Sequence, residues 1–117
     1  MSELPKTVIM PNQGKDFRKI GGLVKRLVHP TTVGSKNLGV SVCYLNPGEA
    51  VVRHEHEYEE AYFVVQGIGT MYLDGQEFRL QPNMSVYVPP GKTHGQANDG
   101  TEPLVIVCSL TPAPNVW

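Results

Sequence analysis

The chain has 117 residues, with ten lysines and arginines against eleven aspartates and glutamates, for a formal net charge of −1. That length supplies one hydrophobic core, and 40% hydrophobic with 18% charged residues excludes a disordered chain. The near-zero charge, without a basic run, argues against nucleic acid as a partner, and no apolar stretch approaches the roughly 20 residues that span a bilayer as a helix.

Residues 1–20 read as an extended N-terminal arm, without the basic-then-apolar order of a secretory signal. A helix over 14–28 would carry Gly21-Gly22 at about 1 kcal/mol per glycine, so LVKRLVH (23–29) reads as a strand. Further short runs rich in β-branched and aromatic residues follow: LGVSVCYL (38–45), AVVRHEH (50–56), AYFVVQG (61–67), TMYL (70–73), EFRL (77–80), SVYVP (85–89) and LVIVCSL (104–110). The segments between them, NPGE (46–49), DGQ (74–76), QPN (81–83), PPGK (89–92) and NDG (98–100), are turn sequences. Asp74-Gly75 predicts a two-residue hairpin. Residues 111–117, with Pro112 and Pro114, read as a second arm, because proline does not enter a central strand. Regular short strands make this an all-β sandwich or barrel, one domain over 1–117 with its core at 21–111. Cys43 and Cys108 read as small buried hydrophobes in a reducing cytoplasm.

Two of the four histidines fall in HEHEYEE (54–60). On a strand, His54 and His56 share one face and Arg53 and Glu55 take the other. Their backbones stand about 6.6 Å apart, and imidazoles so placed converge on an ion about 2.1 Å from each nitrogen. On a straight strand Glu60 would lie about 13 Å beyond His56. The chain is therefore expected to turn at 57–59 and return antiparallel with Glu60 beside the histidines. A carboxylate in a strand that wants burial needs a cation near it. His94, after the stiff VPPGKT (88–93), is the candidate fourth ligand, whereas His29 has no ligand spacing. Glu55, Glu57 and Glu59 are expected to face solvent.

Gly48, His54, His56, Glu60 and Gly67 resemble the first motif of the cupin superfamily at its full spacing, over 48–67. Pro89, Gly91, His94 and Asn98 resemble the second, over 83–98, with Asn83 where the family's leading glycine would fall. Asparagine also tolerates a left-handed turn. The resemblance implies a double-stranded β-helix, a jelly-roll barrel open at one end, flanked by the two arms. It also implies that His54, His56, Glu60 and His94 bind one divalent metal ion per chain. Three imidazoles and one carboxylate leave the ion at net +1 with one or two positions for water or substrate, which suits iron, manganese, nickel, cobalt or zinc.

Alternation sketches the pocket wall. Tyr62 and Val64 share the face of Glu60, and Gln96 shares that of His94, which makes Tyr62 and Gln96 the candidate catalytic groups. Either Cys43 or Tyr44 faces inward; Tyr72, Met71 and Cys108 read as packing, and Arg26 is a candidate partner for a substrate carboxylate or a solvated strand residue. The function expected is a metal-dependent enzyme acting on a small oxygen-rich carboxylate or dicarbonyl, oxygenase-type first. An isomerase, lyase or decarboxylase on a sugar acid is the alternative, and a non-catalytic small-molecule-binding cupin the next. A small molecule and a second copy of the chain are the expected partners, with the arms available to extend a partner's sheet.

Overall fold

The structure, a computed structural model, describes residues 4–115. Its branched and aromatic runs, interrupted by glycine and proline, form β1 (Lys15–Phe17), β2 (Leu23–Val28), β3 (Gly39–Leu45), β4 (Ala50–His54), β5 (Glu59–Gln66), β6 (Gly69–Leu73), β7 (Gln76–Leu80), β8 (Ser85–Val88), β9 (His94–Ala97) and β10 (Leu104–Thr111). A 3-10 turn, Pro11–Gln13, precedes β1. The strands build two antiparallel sheets, one in the order β1-β2-β3-β10-β5-β8 and the other β4-β9-β6-β7, the jelly-roll arrangement expected. Among the described residues no helix is long and apolar enough to cross a membrane.

The core lies between the sheets and follows the period-two pattern. On β3 the buried positions are Gly39, Ser41, Cys43 and Leu45; on β5 they are Glu60, Tyr62 and Val64; on β10 they are Leu104, Ile106, Cys108 and Leu110. Cys43 therefore faces inward and Tyr44 does not. Both cysteines are buried and free. Burial pushes the Cys43 thiol up to about 12 and holds Cys108 well above its usual range, so both stay protonated and unreactive at neutral pH. Met71, fully buried, is packing as expected.

Local turn chemistry fixes the register. Leu73 pairs with Gln76 across Asp74-Gly75, whose φ values of 48° and 86° are those of a type I′ hairpin. Asn83 takes φ 71°, the left-handed conformation in which it replaces a glycine.

Two expectations need correction. The strand expected over 50–56 ends at His54, so His56 lies beyond it. β4 and β5 do not pair with each other. They belong to different sheets, and residues 55–58 carry the chain from one sheet to the other. Both extended arms are tied to the barrel. β1 pairs with β2 in register Phe17↔Val24 and forms an edge of the six-stranded sheet. At the other end His29 is buried at 3% exposure. Its Nδ1 accepts from the Thr31 amide at 3.1 Å, so Nε2 carries the proton and donates to the Pro114 carbonyl at 2.6 Å. The Ala113 amide also donates to the Asn37 carbonyl at 2.7 Å. Residues 1–3 and 116–117 of the arms lie outside the described residues.

Candidate metal centre

Three histidines reach one point by different local devices. β4 and β9 pair at Val51↔Gln96 and next at His54↔His94, three steps on β4 against two on β9. The extra residue is a β-bulge. It explains why Val51 is buried while Val52 is 58% exposed, although His54 still lines the interior. Gly95 lies opposite the bulge, and a Cβ there would sit 2.9 Å from the Val51 carbonyl oxygen, so the close approach needs glycine. His56 is placed by the turn after β4, where its ring stacks on Tyr58 at 3.7 Å and 13°. The PPGK turn is tied to the same residue, since the Gly91 amide donates to the His56 carbonyl at 2.7 Å. His94 opens β9 between His54 and Leu73.

The hydrogen bonds settle which ring nitrogen faces the centre. His54 Nδ1 meets the Val52 carbonyl at 2.8 Å, His56 Nδ1 the Tyr58 carbonyl at 2.9 Å, and His94 Nδ1 the Lys92 carbonyl at 2.8 Å. A carbonyl oxygen only accepts, so each Nδ1 carries a proton and each Nε2 is the nitrogen left to face the centre. The ligand atoms of the three histidines lie within 4.8 Å of one another, so the three can hold a metal ion. Nitrogens sharing one ion at about 2.1 Å stand at most about 4.2 Å apart, and small ring rotations close the difference.

Glu60 comes from the opposite sheet, beside Leu110 and Val88. Its Oε1 lies 3.1 Å from His56 Nε2 and 3.5 Å from His94 Nε2. With both Nδ1 protons committed, that contact sets lone pair against lone pair unless positive charge lies between. His94 Nε2 is also buried without a hydrogen-bond partner. Two protonated imidazoles or one divalent ion would satisfy the group, and neutral-Nε2 histidines with a carboxylate are a donor set of the second kind. Without an ion, the charges fall as they would for protonated imidazoles beside a carboxylate. Burial acts to raise the Glu60 carboxyl, but hydrogen bonds and charge from His56 and His94 outweigh it and hold it below its usual range. Burial acts to lower His94, yet Glu60 and the Lys92 carbonyl raise it. Burial, reinforced by the neighbouring histidines, lowers His54.

His54, His56 and Glu60 border a cavity of about 120 Å³ between the sheets, while His94 is fully buried. Tyr62, 3% exposed, donates its hydroxyl to Gln96 Oε1 at 3.3 Å, and Gln96 Nε2 lies 3.9 Å from Cys43 Sγ. Both candidate catalytic groups are thus in the cavity wall and bonded to each other, and burial first, then the Glu60 charge, keeps the Tyr62 phenol neutral. Arg26 also lines the cavity. Arg53 and Tyr72 do not: the Arg53 guanidinium lies over the Tyr72 ring at 3.7 Å and meets Glu77 at 3.3 Å on the outer surface. Glu55, Glu57 and Glu59 are exposed, Glu55 accepting from the Thr93 hydroxyl at 3.0 Å. Among the lining residues that sequence reasoning did not place in the wall are Tyr58 and Phe17. Tyr58 sits in a turn and Phe17 in the arm, so neither had a strand partner from which alternation could be counted.

The family profile described as "Cupin domain" matches residues 41–110. The polyketide synthase protein CurC of Streptomyces cyaneus is 30% identical over 96% of this chain and 73% of its own. Quercetin 2,3-dioxygenase of Bacillus subtilis is 38% identical over 44% of this chain and 16% of its own. Among solved structures, a predicted oxalate decarboxylase of Thermotoga maritima superposes with TM-score 0.77 at 18% identity, covering 91% of this chain and 99% of that one. The profile spans both histidine-bearing segments and the strands that carry them, and the chain therefore belongs to the cupin family.

Proposed function

We propose that the chain is a metal-dependent enzyme acting on a small oxygen-rich carboxylate or dicarbonyl, with oxygenase chemistry first. The observation that carries this reading is the set of three Nε2 atoms, each with its Nδ1 proton committed to a carbonyl, gathered with Glu60 beside a cavity that His54, His56 and Glu60 line. His54, His56, Glu60 and His94 would hold one divalent ion. Such an ion supplies Lewis-acid polarisation of a carbonyl or enolate oxygen and, as iron or manganese, one-electron chemistry with dioxygen. Around it, Tyr62 keeps its proton and can donate it to a substrate oxygen, while Gln96 holds the phenol in place. The dioxygenase relative supports the oxygenase branch, and the polyketide synthase relative supports a carbonyl-rich substrate. The buried, protonated thiols are in keeping with a reducing, cytoplasmic setting.

Elemental analysis of protein expressed without added metal, followed by oxygen uptake with small dicarbonyls and uronates, tests the reading. About one iron or manganese per chain with substrate-dependent oxygen consumption is expected. Zinc or nickel with turnover but no oxygen consumption would replace it with an isomerase, lyase or decarboxylase. Ligand binding without turnover would leave a binding cupin.

A second copy of the chain is the proposed macromolecular partner, through the outer face of the six-stranded sheet rather than through the arms. Phe63, Val65 and Tyr87 are exposed there at 42%, 50% and 55%, and the outward positions between them, Ala61 and Ser85, carry no charge. An uncharged apolar face is complementary to itself under a two-fold axis, whereas a charged partner would lose hydration against it. Light scattering at micromolar concentration is expected to give a dimer for the wild type and a monomer for Phe63→Glu; a monomeric wild type rejects the interface.

A further inference from the structure

We propose that the Ser41 hydroxyl is a substrate-binding group of the cavity. It donates a hydrogen bond to the oxygen of a small dicarbonyl that the histidine cluster does not hold. The inference rests on the metal-dependent reading above and adds a second point at which the substrate is gripped.

Ser41 is an inward position of β3, 3% exposed, and it lines the same cavity as His54, His56 and Glu60. Among the described residues no group is hydrogen-bonded to its hydroxyl, whereas Tyr62 and Gln96 in the same wall are bonded to each other. A hydroxyl withdrawn from bulk water without a partner costs stability. Alanine at the same place would carry no such cost. The partner of Ser41 must therefore come from within the cavity, and a hydroxyl rotates freely to meet an oxygen that arrives there.

The strands around Ser41 explain why the cavity lies over it. Ser41 pairs with Cys108 on β10, and Cys108 pairs with Tyr62 on β5. Cys43 is the next inward residue on β3. Three small side chains thus sit together on the two central strands of the sheet, while Leu45, Leu104 and Ile106 fill the core further along. The floor is low at this point, and the space above it is the cavity. Ser41 and Tyr62 stand two strands apart, about 9.6 Å at the backbone, with Cys108 between them. Glu60 is one inward step beyond Tyr62 on β5. A molecule with one oxygen at the histidine cluster would lie over Cys108 and turn its other oxygen to β3. Much of the remaining wall is apolar, with Ile20, Val24, Val51 and Leu110 among its members, which favours two oxygens over the many of a sugar acid. Benzene fills an engineered cavity of about 150 Å³, so the 120 Å³ here suits a short dicarbonyl or the reacting end of a longer one.

Titration of zinc-loaded protein with methyl acetoacetate and methyl butanoate, followed by NMR, tests the proposal. The two esters share their carbon chain and differ in one carbonyl oxygen. Ser41→Ala is expected to weaken methyl acetoacetate about 5-fold, the size of one neutral hydrogen bond, and methyl butanoate by less than about 2-fold. Zinc content should be unchanged and the melting temperature no lower, because the fold loses no bond. Equal affinity of wild type and variant for methyl acetoacetate, an equal loss for both esters, or failure of methyl acetoacetate to bind the wild type would overturn the proposal. So would a melting temperature that falls with the affinity, since the hydroxyl would then have its partner in the fold. Zinc-free protein run in parallel separates the two readings. A Ser41 effect that survives without zinc keeps the binding role and removes the metal from it. A zinc-dependent affinity that ignores Ser41→Ala keeps the metal and rejects Ser41.

Discussion

Chelation is expected to lower the melting temperature of the wild-type chain by about 15 °C and to leave that of His54→Ala and Glu60→Ala nearly unmoved. A ligand that binds only the folded chain stabilises it by about 4 kcal/mol when present at 1,000 times its Kd. With an unfolding entropy of about 2.1 cal/mol/K per residue over 117 residues, that is roughly 15 °C. Each variant removes one donor from a set of four. Loss of a mere outer partner of a ligand costs about 10- to 100-fold in metal affinity, so loss of a ligand costs more. Elemental analysis should find about one ion per wild-type chain and less than a tenth in either variant. Far-UV circular dichroism should stay that of a β protein, because His54 stands at the end of β4 and the β5–β10 ladder that carries Glu60 is backbone-bonded. Full occupancy in Glu60→Ala would remove Glu60 from the set, leaving the three histidines alone. A wild type indifferent to chelators would reject the centre.

How much of this site the sequence disclosed depends on the kind of backbone beneath each residue. Where a strand is regular, the period of two was enough: Glu60, Tyr62 and Val64 share one face, as do His94 and Gln96. The Asp74-Gly75 hairpin and the left-handed Asn83 were legible because their residue types have few other uses. Where the backbone is irregular, alternation misled. The bulge before His54 has no residue signature of its own, since Val52 and Arg53 are ordinary strand residues and the required glycine, Gly95, is on another strand. His56 reads in sequence as a strand residue, although a turn and the ring of Tyr58 orient it. The step from one sheet to the other between β4 and β5 looks in sequence like a hairpin, because both connections need a short polar turn. The arms contribute Phe17 and Pro114 to the cavity through pairing and through His29, long-range contacts that no local pattern announces.

Asn98 shows the same limit from the side of stability. It closes the second motif, and the motif alone says nothing of what it does. The structure buries it at 2% exposure among the backbone groups of Leu45, Gly100 and Glu102. Its Nδ2 donates to the Leu45 and Glu102 carbonyls, each at 2.8 Å, and its Oδ1 accepts from the Gly100 amide at 2.9 Å. Its own backbone accepts from the Gly48 amide and donates to the Glu49 carbonyl, both at 2.9 Å, so one residue joins the β3–β4 turn to the β9–β10 turn. Asn98→Ala keeps the backbone pair and strands three polar groups. The Leu45 carbonyl belongs to a fully buried residue, whereas Glu102 and Gly100 sit nearer the surface where water can reach. At about 1–3 kcal/mol for each buried group left unsatisfied, with the two outer groups partly rehydrated, the expected loss is about 3 kcal/mol. By the same unfolding entropy the melting temperature falls by roughly 12 °C. The adjacent Asp99→Ala serves as the control. It gives up bonds to Thr70 at 2.7 Å and to Arg79 at 3.1 Å, but these lie at the surface and should shift the transition far less. Metal content should be that of the wild type in both, because neither residue touches the histidine cluster. Calorimetric scans in which Asn98→Ala and Asp99→Ala melt together would show that the two turns hold without the amide, and that the burial of Asn98 contributes nothing to the barrel.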